Sequence, residues 1–576
     1  MKIELVAYAN NDDALLLWTV DELDATCLGF GVQRKLKRGK APLETGWLDN
    51  FARPGPDPHQ SGLHHPSDRT PFRSFTWTDH SVQAGDNVRY RAAPVVGGSQ
   101  GPEPDLQQAS DWTPALKIGG KANAKHQAFF NRGFVISQFM SRYLDRHYPQ
   151  LTRIQALEQF KQDISTQVED TLRVFLSGEL RTKLLGLLDD AAQGTHQIYA
   201  ALFELGDTEL LQRLTKLGDR AHIVLANGSI EKKKTETAAE ARKRDENTDA
   251  RRQLLDVNAD VSTTSRFVSP GALAHNKFLV LTDAAGKPQR VWTGSTNWTT
   301  TGLCTQLNNA LLVHDEQVAA AYLEQWHELR KAASSHPAAL ATANGKASDI
   351  GDTSVHFTRA KNRVDLAALR DVVRGAKDGV LFLMFIPGTS GVLGDVRALA
   401  NERPDLLVRG VVSELPKGRK DEKTGTTTTV SVTLFGSPSA AQAGPRTYDI
   451  VQPEGNPHPT AYWAAETTHA QFLGSIGHAI IHSKVLVVDP FGTDPVVVTG
   501  SHNFSASASE KNDENFIIVR GDRALAEAYA VNVESAWRHY AARAGNPHAQ
   551  LFGVDYLRAL LEDQRREEHF WRLQRQ

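Results

Sequence analysis

Cysteine is nearly absent from this chain: Cys27 and Cys304 are the only two among 576 residues. They stand far apart, with no C-x-x-C pair and no Cys/His cluster. A disulfide-built scaffold and a structural zinc site of the usual spacing are therefore excluded. Long hydrophobic runs are also missing. No stretch of 18 apolar residues occurs, so no transmembrane helix is expected. Near the amino terminus Glu4, Asp12 and Asp13 interrupt the apolar residues that a signal peptide would need. The expectation is a cytoplasmic protein, with export by a route lacking a cleaved signal left open. An excess of charge of one sign is absent too, since 65 Lys+Arg against 67 Asp+Glu leave a net charge of −2. The whole chain neither attracts nor repels a polyanion, and only local clusters could bind one.

What is present is a soluble globular composition, 40% hydrophobic and 23% charged. The length exceeds what one core serves, so three or four domains are expected. Residues 1–110 read as β structure followed by a linker. Apolar runs at 2–8, 14–19, 26–35, 72–78 and 87–96 alternate with turn-rich segments, and Gly97, Gly98, Gly101, Pro102 and Pro104 mark the linker at 97–112. On strand spacing alone the segment resembles a fibronectin type III or immunoglobulin-like sandwich. His59, His64 and His65 lie in the long segment 52–71 and are read as a solvated loop rather than a metal site.

Helical periodicity runs through 123–176, with Phe129, Phe130, Phe134, Ile136, Phe139 and Met140 available for a buried face. That makes 111–176 a helical connector. Then a longer pattern occurs twice. Helices at about 178–192 and 207–217 alternate with strands at 198–203 and 223–225. Helices at about 364–376 and 392–402 alternate with strands at 380–385 and 406–408. The expected fold class is α/β, with two pseudo-symmetric α-β-α sandwich repeats at 177–335 and 336–545 behind the all-β domain. A helical tail covers 546–576, expected to dock on the body. Each repeat holds an insertion, 228–262 with mixed charges and 414–460 rich in Thr, Gly and Pro, both candidates for lids or specificity elements.

After each insertion the chain repeats one short pattern. His275-Asn276-Lys277, an apolar run and Gly294-Ser295-Thr296-Asn297 return as His482-Ser483-Lys484, an apolar run and Gly500-Ser501-His502-Asn503. The interval between the two histidines and that between the two asparagines agree to within one residue. Alternation along a strand puts each histidine and lysine on one face. A hairpin then returns each asparagine beside its lysine. A phosphodiester needs such groups: cations and amide donors on its oxygens, one imidazole to attack and one to move a proton. Neither a metal nor a cofactor is required.

The chain resembles the phospholipase D superfamily, whose mark is a duplicated H-x-K-x4-D motif followed by G-S-x-N. The resemblance covers about 170–540. It implies that His275, Lys277, Asn297, His482, Lys484 and Asn503 converge on one phosphate, with a phosphohistidine intermediate and no metal in the chemistry. It also implies supporting roles for Ser295, Ser501, Glu514, Asp489 and Asn308. Asp489 falls at the family's aspartate position. In the first motif that place is Thr282 and Asp283 comes one late, which a residue added to the hairpin explains. Asn512-Asp513-Glu514-Asn515 resembles the family segment whose glutamate orients a histidine, whereas the matching Gln306-Leu307-Asn308-Asn309 offers Asn308. Which histidine Glu514 contacts stays open. Among duplicated relatives the first-motif histidine often attacks, so His275 is the expected nucleophile and His482 the general acid; the reverse stays open. A single chain then holds a complete site. The expected substrate is a phosphodiester, with phospholipid favoured. A nuclease stays open, drawing on Lys232, Lys233, Lys234, Lys417, Arg419 and Lys420. A non-catalytic binding protein would require decayed motifs, and both are intact.

Overall fold

The structure, a computed structural model, describes all residues except 52–63, 121–123, 134–143, 145, 229–234, 238–239, 241–243, 262–265, 267–271, 389–390, 414–418, 421–426, 429–448, 452–480, 542–547, 549 and 574–576. His59, Phe134, Ile136, Phe139, Met140, Lys232 to Lys234 and Lys417 lie outside the described residues.

The amino-terminal segment folds as two antiparallel sheets. One orders the strands Ile3–Ala9, Ala14–Val20 and Thr76–Asp79. The other runs Leu116–Lys117, Asn87–Gly98, Cys27–Lys37 and Glu44–Trp47. Between them sits a core containing Trp18, Phe30, Phe72 and Tyr90. Trp18 meets the Phe30 ring edge-on at 5.9 Å. The segment expected to be a linker is part of this sheet. Gly101–Pro104 turns back and pairs with the end of Asn87–Gly98. Pro102 and Pro104 lack amide donors, which an edge strand tolerates. His64 and His65 lie on a short strand paired with Asp49–Phe51 rather than in a loop.

Two larger sheets form the body. The first orders its strands His126–Phe130, Asn309–Val313, Pro288–Gly294, Lys277–Thr282, Gln197–Leu202, Ala221–Leu225 and Asp260–Val261. The second, after an edge strand Ser348–Ile350, orders Thr353–Phe357, Asn515–Arg520, Val496–Gly500, Val485–Val488, Gly379–Met384, Leu407–Val412 and Asp449–Val451. Strand for strand the pairing senses agree. In each sheet the first strand of a β-α-β unit pairs parallel with the second and antiparallel with the strand after the His-x-Lys triplet. The crossover helices are Thr208–Thr215 and Val392–Glu402. Each buries its apolar stripe, Leu210, Leu211 and Leu214 in one and Val392, Leu393, Val396 and Leu399 in the other.

The connector departs from expectation. Phe129 and Phe130 lie on the strand His126–Phe130, paired with Asn309–Val313. A short apolar run carries no period that separates strand from helix, and the open edge of Asn309–Val313 decides the matter. Helices follow at Arg153–Thr166 and Thr171–Gln193, the latter broken at Gly178 with φ 53° and ψ −156°.

The carboxyl-terminal helix Gly553–Glu567 docks on the body. Leu557 and Leu561 complete the amino-terminal core, and Phe570, Trp571 and Leu573 enter the central one. Tyr8 donates its hydroxyl to Trp571 O at 2.7 Å. Beneath the helix the Arg409 side chain, 1% exposed, donates to Glu534 at 2.9 Å and to Glu567. It also covers the Trp537 ring at 4.0 Å. Arg409→Met would remove the buried cation shared by both carboxylates and leave them only the half-buried Arg538. A loss of about 3–5 kcal/mol in unfolding free energy is expected, read by urea denaturation. Among the described residues no helix is long and apolar enough to cross a membrane.

Candidate active site

Both His-x-Lys triplets lie where the two large sheets meet. Two backbone bridges stitch them across, Ala274 to Asp513 and Leu307 to Ile481. His275 N–H donates to Asp513 O at 2.9 Å, and His482 N–H to Leu307 O at 2.9 Å. Each catalytic candidate is thus held by the other sheet. The imidazoles face one another with ring centroids 6.3 Å apart and planes at 75°.

The side-chain partners cross over as well. His275 Nδ1 meets Glu514 Oε2 at 2.8 Å. His482 Nδ1 meets Asn308 Oδ1 at 2.9 Å. Asn308 donates its Nδ2 to Gly302 O at 2.8 Å, and its Oδ1 also accepts Ser295 Oγ–H at 2.7 Å. That orientation makes His482 Nδ1 a protonated nitrogen, donating to Asn308 Oδ1. Glu514 is braced by Asn512 Nδ2 at 3.0 Å. Ser501 Oγ accepts Asn515 N–H at 3.0 Å, as Ser295 Oγ accepts Asn309 N–H at 3.1 Å. The glycines before these serines serve the neighbouring strand. A Cβ on Gly294 would lie 2.4 Å from Asn309 O, and one on Gly500 2.3 Å from Asn515 O.

Lys277 Nζ donates to His275 O at 2.7 Å, and Lys484 Nζ to His482 O. Each ammonium also lies over a phenylalanine face, Phe203 at 4.8 Å and Phe385 at 4.9 Å. The same rings pack on His275 and His482 at 4.8 and 5.0 Å. Phe203 and Phe385 read as strand residues in the sequence. Their shared position just past matching strands is the signal that could have marked them.

Burial governs the electrostatics. It pushes both histidines well below their ordinary range, helped by the charges of Lys277 and Lys484. Burial lowers Lys277 to about 7 and Lys484 well below its usual value. It raises Glu514 to about 7, which works against a full ion pair with His275. An anion between these groups would favour the charged forms of both lysines and both imidazoles.

The remaining candidates divide. Asn297 donates its Nδ2 to Glu204 Oε2 at 2.8 Å, and Glu204 also interacts with Lys277. Glu204 was not singled out in the sequence, where nothing marks one acid after an apolar strand. The Oδ1 atoms of Asn297 and Asn503 are buried and unpaired among the described residues. Asp489 does not reach the cleft. Its carboxylate accepts the N–H groups of Lys377, Asp378 and Gly379 at 2.7–2.9 Å, tying the hairpin to the next strand. Asp283 closes its own turn by accepting from Ala285 and Lys287 at 2.9 Å. The strand register shifts between Leu281 and Thr282, where the extra residue is accommodated.

Residues 450–537 match the family model described as cardiolipin synthase, PLD-like domain. A phospholipase D of Rickettsia felis is 47% identical over 53 residues, 9% of this chain and 24% of that protein. The match thus spans about a quarter of the curated relative's length. Among solved structures, a phosphatidylserine synthase of Haemophilus influenzae Rd KW20 aligns at TM-score 0.40 and 12% identity. It covers 69% of this chain and 93% of its own. Nuc, a phospholipase D family member from Salmonella typhimurium, aligns at TM-score 0.19 and 17% identity, covering 26% and 86%. The matched residues include His482, Lys484, Asn503 and Glu514. His275, Lys277 and Asn297 lie outside the matched residues, on the facing sheet.

Proposed function

We propose that the chain is a metal-independent phosphodiesterase of the phospholipase D superfamily, working through a phosphohistidine. The observation that carries this reading is the pair of imidazoles 6.3 Å apart, each held at Nδ1 by the opposite sheet. The two sheets, with their common strand order, are two copies of one unit related by a pseudo-two-fold. One chain therefore holds a whole site. The first copy begins at the strand His126–Phe130, inside what sequence periodicity assigned to the connector. The amino-terminal sandwich is a fibronectin-like accessory domain.

His275 is the nucleophile. Glu514 accepts its Nδ1–H and enriches the ring, so the Nε2 lone pair attacks phosphorus. The P–O bond to the leaving alcohol breaks, and the protonated His482 delivers its Nε2 proton to that oxygen. His482 suits this acid role because its partner Asn308 is neutral and stabilises the imidazolium less than a carboxylate would. In the second step His482 Nε2 takes a proton from water, the water oxygen attacks phosphorus, and the P–N bond to His275 breaks. Lys277, Lys484, Asn297 and Asn503 stabilise the charge that grows on the phosphoryl oxygens.

Phospholipid is the favoured substrate. The chain is not basic, and Ile386, next to the Phe385 that supports Lys484, is 41% exposed and apolar. The test offers labelled phosphatidylcholine and single-stranded DNA in parallel, both with excess EDTA. Lipid turnover undiminished by chelator is expected. Turnover lost to EDTA and restored by a divalent ion would refute the chemistry, and faster DNA cleavage would replace the substrate.

A further inference from the structure

The two halves of the cleft differ in charge two residues beyond the level of the lysines. Leu202 lies opposite Lys277, and Leu383 lies opposite Val485, which sets Met384 level with Lys484. The next residues match as Phe203 and Phe385. The residues after those do not match: they are Glu204 and Ile386.

The backbone around Glu204 is clamped. Glu204 O accepts Trp298 N–H at 3.2 Å, and Leu205 N–H donates to Asn247 Oδ1 at 2.9 Å. Asn247, buried, donates its Nδ2 to Phe203 O at 2.9 Å and Ala226 O at 2.8 Å. It belongs to the first insertion, 228–262, so that insertion braces the cleft wall. From this fixed position Glu204 Oε2 takes one amide proton of Asn297. The second proton of the same NH2 group then has a set direction, as does the unpaired Oδ1.

We propose that Glu204 is a positioning residue which orients the Asn297 amide and sets its carboxyl group beside Lys277, making the first half the stronger anion-binding half of the site. This rests on the reading that the cleft binds a phosphodiester anion. The groups facing Lys277 are Glu204 on its own sheet and Glu514 from the other, with both histidines and Lys484 nearby. Burial pushes the Glu204 carboxyl up, Lys277 and the Asn297 amide pull it back toward the charged form, and Glu246 of the insertion acts as a second acid against it. Among the described residues Lys484 has Glu514 to favour its charge, against burial and Lys277, which oppose it. Losing a nearby opposite charge typically lowers a lysine pKa by about 1–3 units. The sign follows: without Glu204 the ammonium deprotonates at lower pH, and anion binding fades earlier as pH rises.

The test uses the full chain as wild type, Glu204→Gln and Glu204→Asp, each checked for fold by circular dichroism. Diethyl phosphate, whose single charge is constant near neutrality, is titrated by 31P line broadening as a function of pH. Glu204→Gln should move the alkaline loss of binding down by about 1–3 pH units, and Glu204→Asp should restore it toward wild type. An unmoved limb in folded Glu204→Gln overturns the proposal. So does Glu204→Asp behaving like Glu204→Gln. If Glu204→Gln does not fold, Ile386→Glu substitutes for it. A carboxylate there should move the limb upward, and no movement overturns the idea. Turnover of bis(p-nitrophenyl) phosphate is recorded beside binding. A chain that binds with the expected limb yet hydrolyses no diester would refute the phosphodiesterase reading while upholding Glu204. An active chain with an unmoved limb would do the reverse.

Discussion

Replacing His275 by alanine is expected to abolish a covalent phosphoryl-enzyme, while replacing His482 by alanine is expected to make it accumulate. The asymmetry of the partners is the reason. His275 has the carboxylate of Glu514 at 2.8 Å, whereas His482 has the neutral amide oxygen of Asn308 at 2.9 Å. A p-nitrophenolate leaving group needs no proton, so His482→Ala should still let His275 attack. Clearing the adduct then lacks a base to activate water. Steady turnover of that variant should fall on the order of 10²–10⁴-fold, the usual share of acid–base catalysis. His275→Ala should lose turnover with no burst of phenolate. Rapid acid quench on bis(p-nitrophenyl) phosphate, followed by phosphohistidine detection, reads both outcomes. An adduct kept by His275→Ala and lost from His482→Ala would reverse the roles.

The second large effect concerns the lysines. Lys277→Met and Lys484→Met should each cripple the chain, although each leaves one motif untouched. On the proposed mechanism both ammonium groups bear on one anion, because each triplet is bonded through its histidine N–H to the opposite sheet's segment at 2.9 Å, which brings the two imidazoles to 6.3 Å. Each charge-assisted contact contributes about 1.5–3 kcal/mol to transition-state binding, so each single change should cost roughly 10–100-fold in kcat/KM. Sharing one anion also couples them, and the double variant should lose less than the two single losses combined. The rival arrangement is one independent site per sheet. There Lys277→Met would keep about half the activity. Half-activity in either single variant sinks the shared cleft.

The local placement of the motif residues is legible in the sequence. The His-x-Lys and Gly-Ser-x-Asn groups declare themselves because alternation on a strand and a hairpin return are short-range consequences of sequence. So do the elements around them: the helix expected at about 392–402 is found at Val392–Glu402, and that at 364–376 at Val364–Arg374. Apolar periodicity marks such elements wherever one face is buried. The unequal place of Glu514 and Asn308 was legible too, because matched segments can be laid side by side.

Tertiary structure alone decided which group meets which. The contact between His275 and Glu514 joins residues 239 apart in the chain, and that between His482 and Asn308 joins residues 174 apart. No local pattern encodes such a pairing; it follows from how two sheets, each with its own register, seat against one another. His126–Phe130 was misread as helix for a related reason, since a strand so short is defined by the neighbour whose edge it completes. Gly101–Pro104 looked like a linker because Gly and Pro mark a turn equally well at a sheet edge. Glu204 shows the limit most clearly. In sequence it is one acid after an apolar strand, and only the fold sets it against Asn297 and Lys277, because hydrogen bonds and charges act across space while a sequence orders residues along one line.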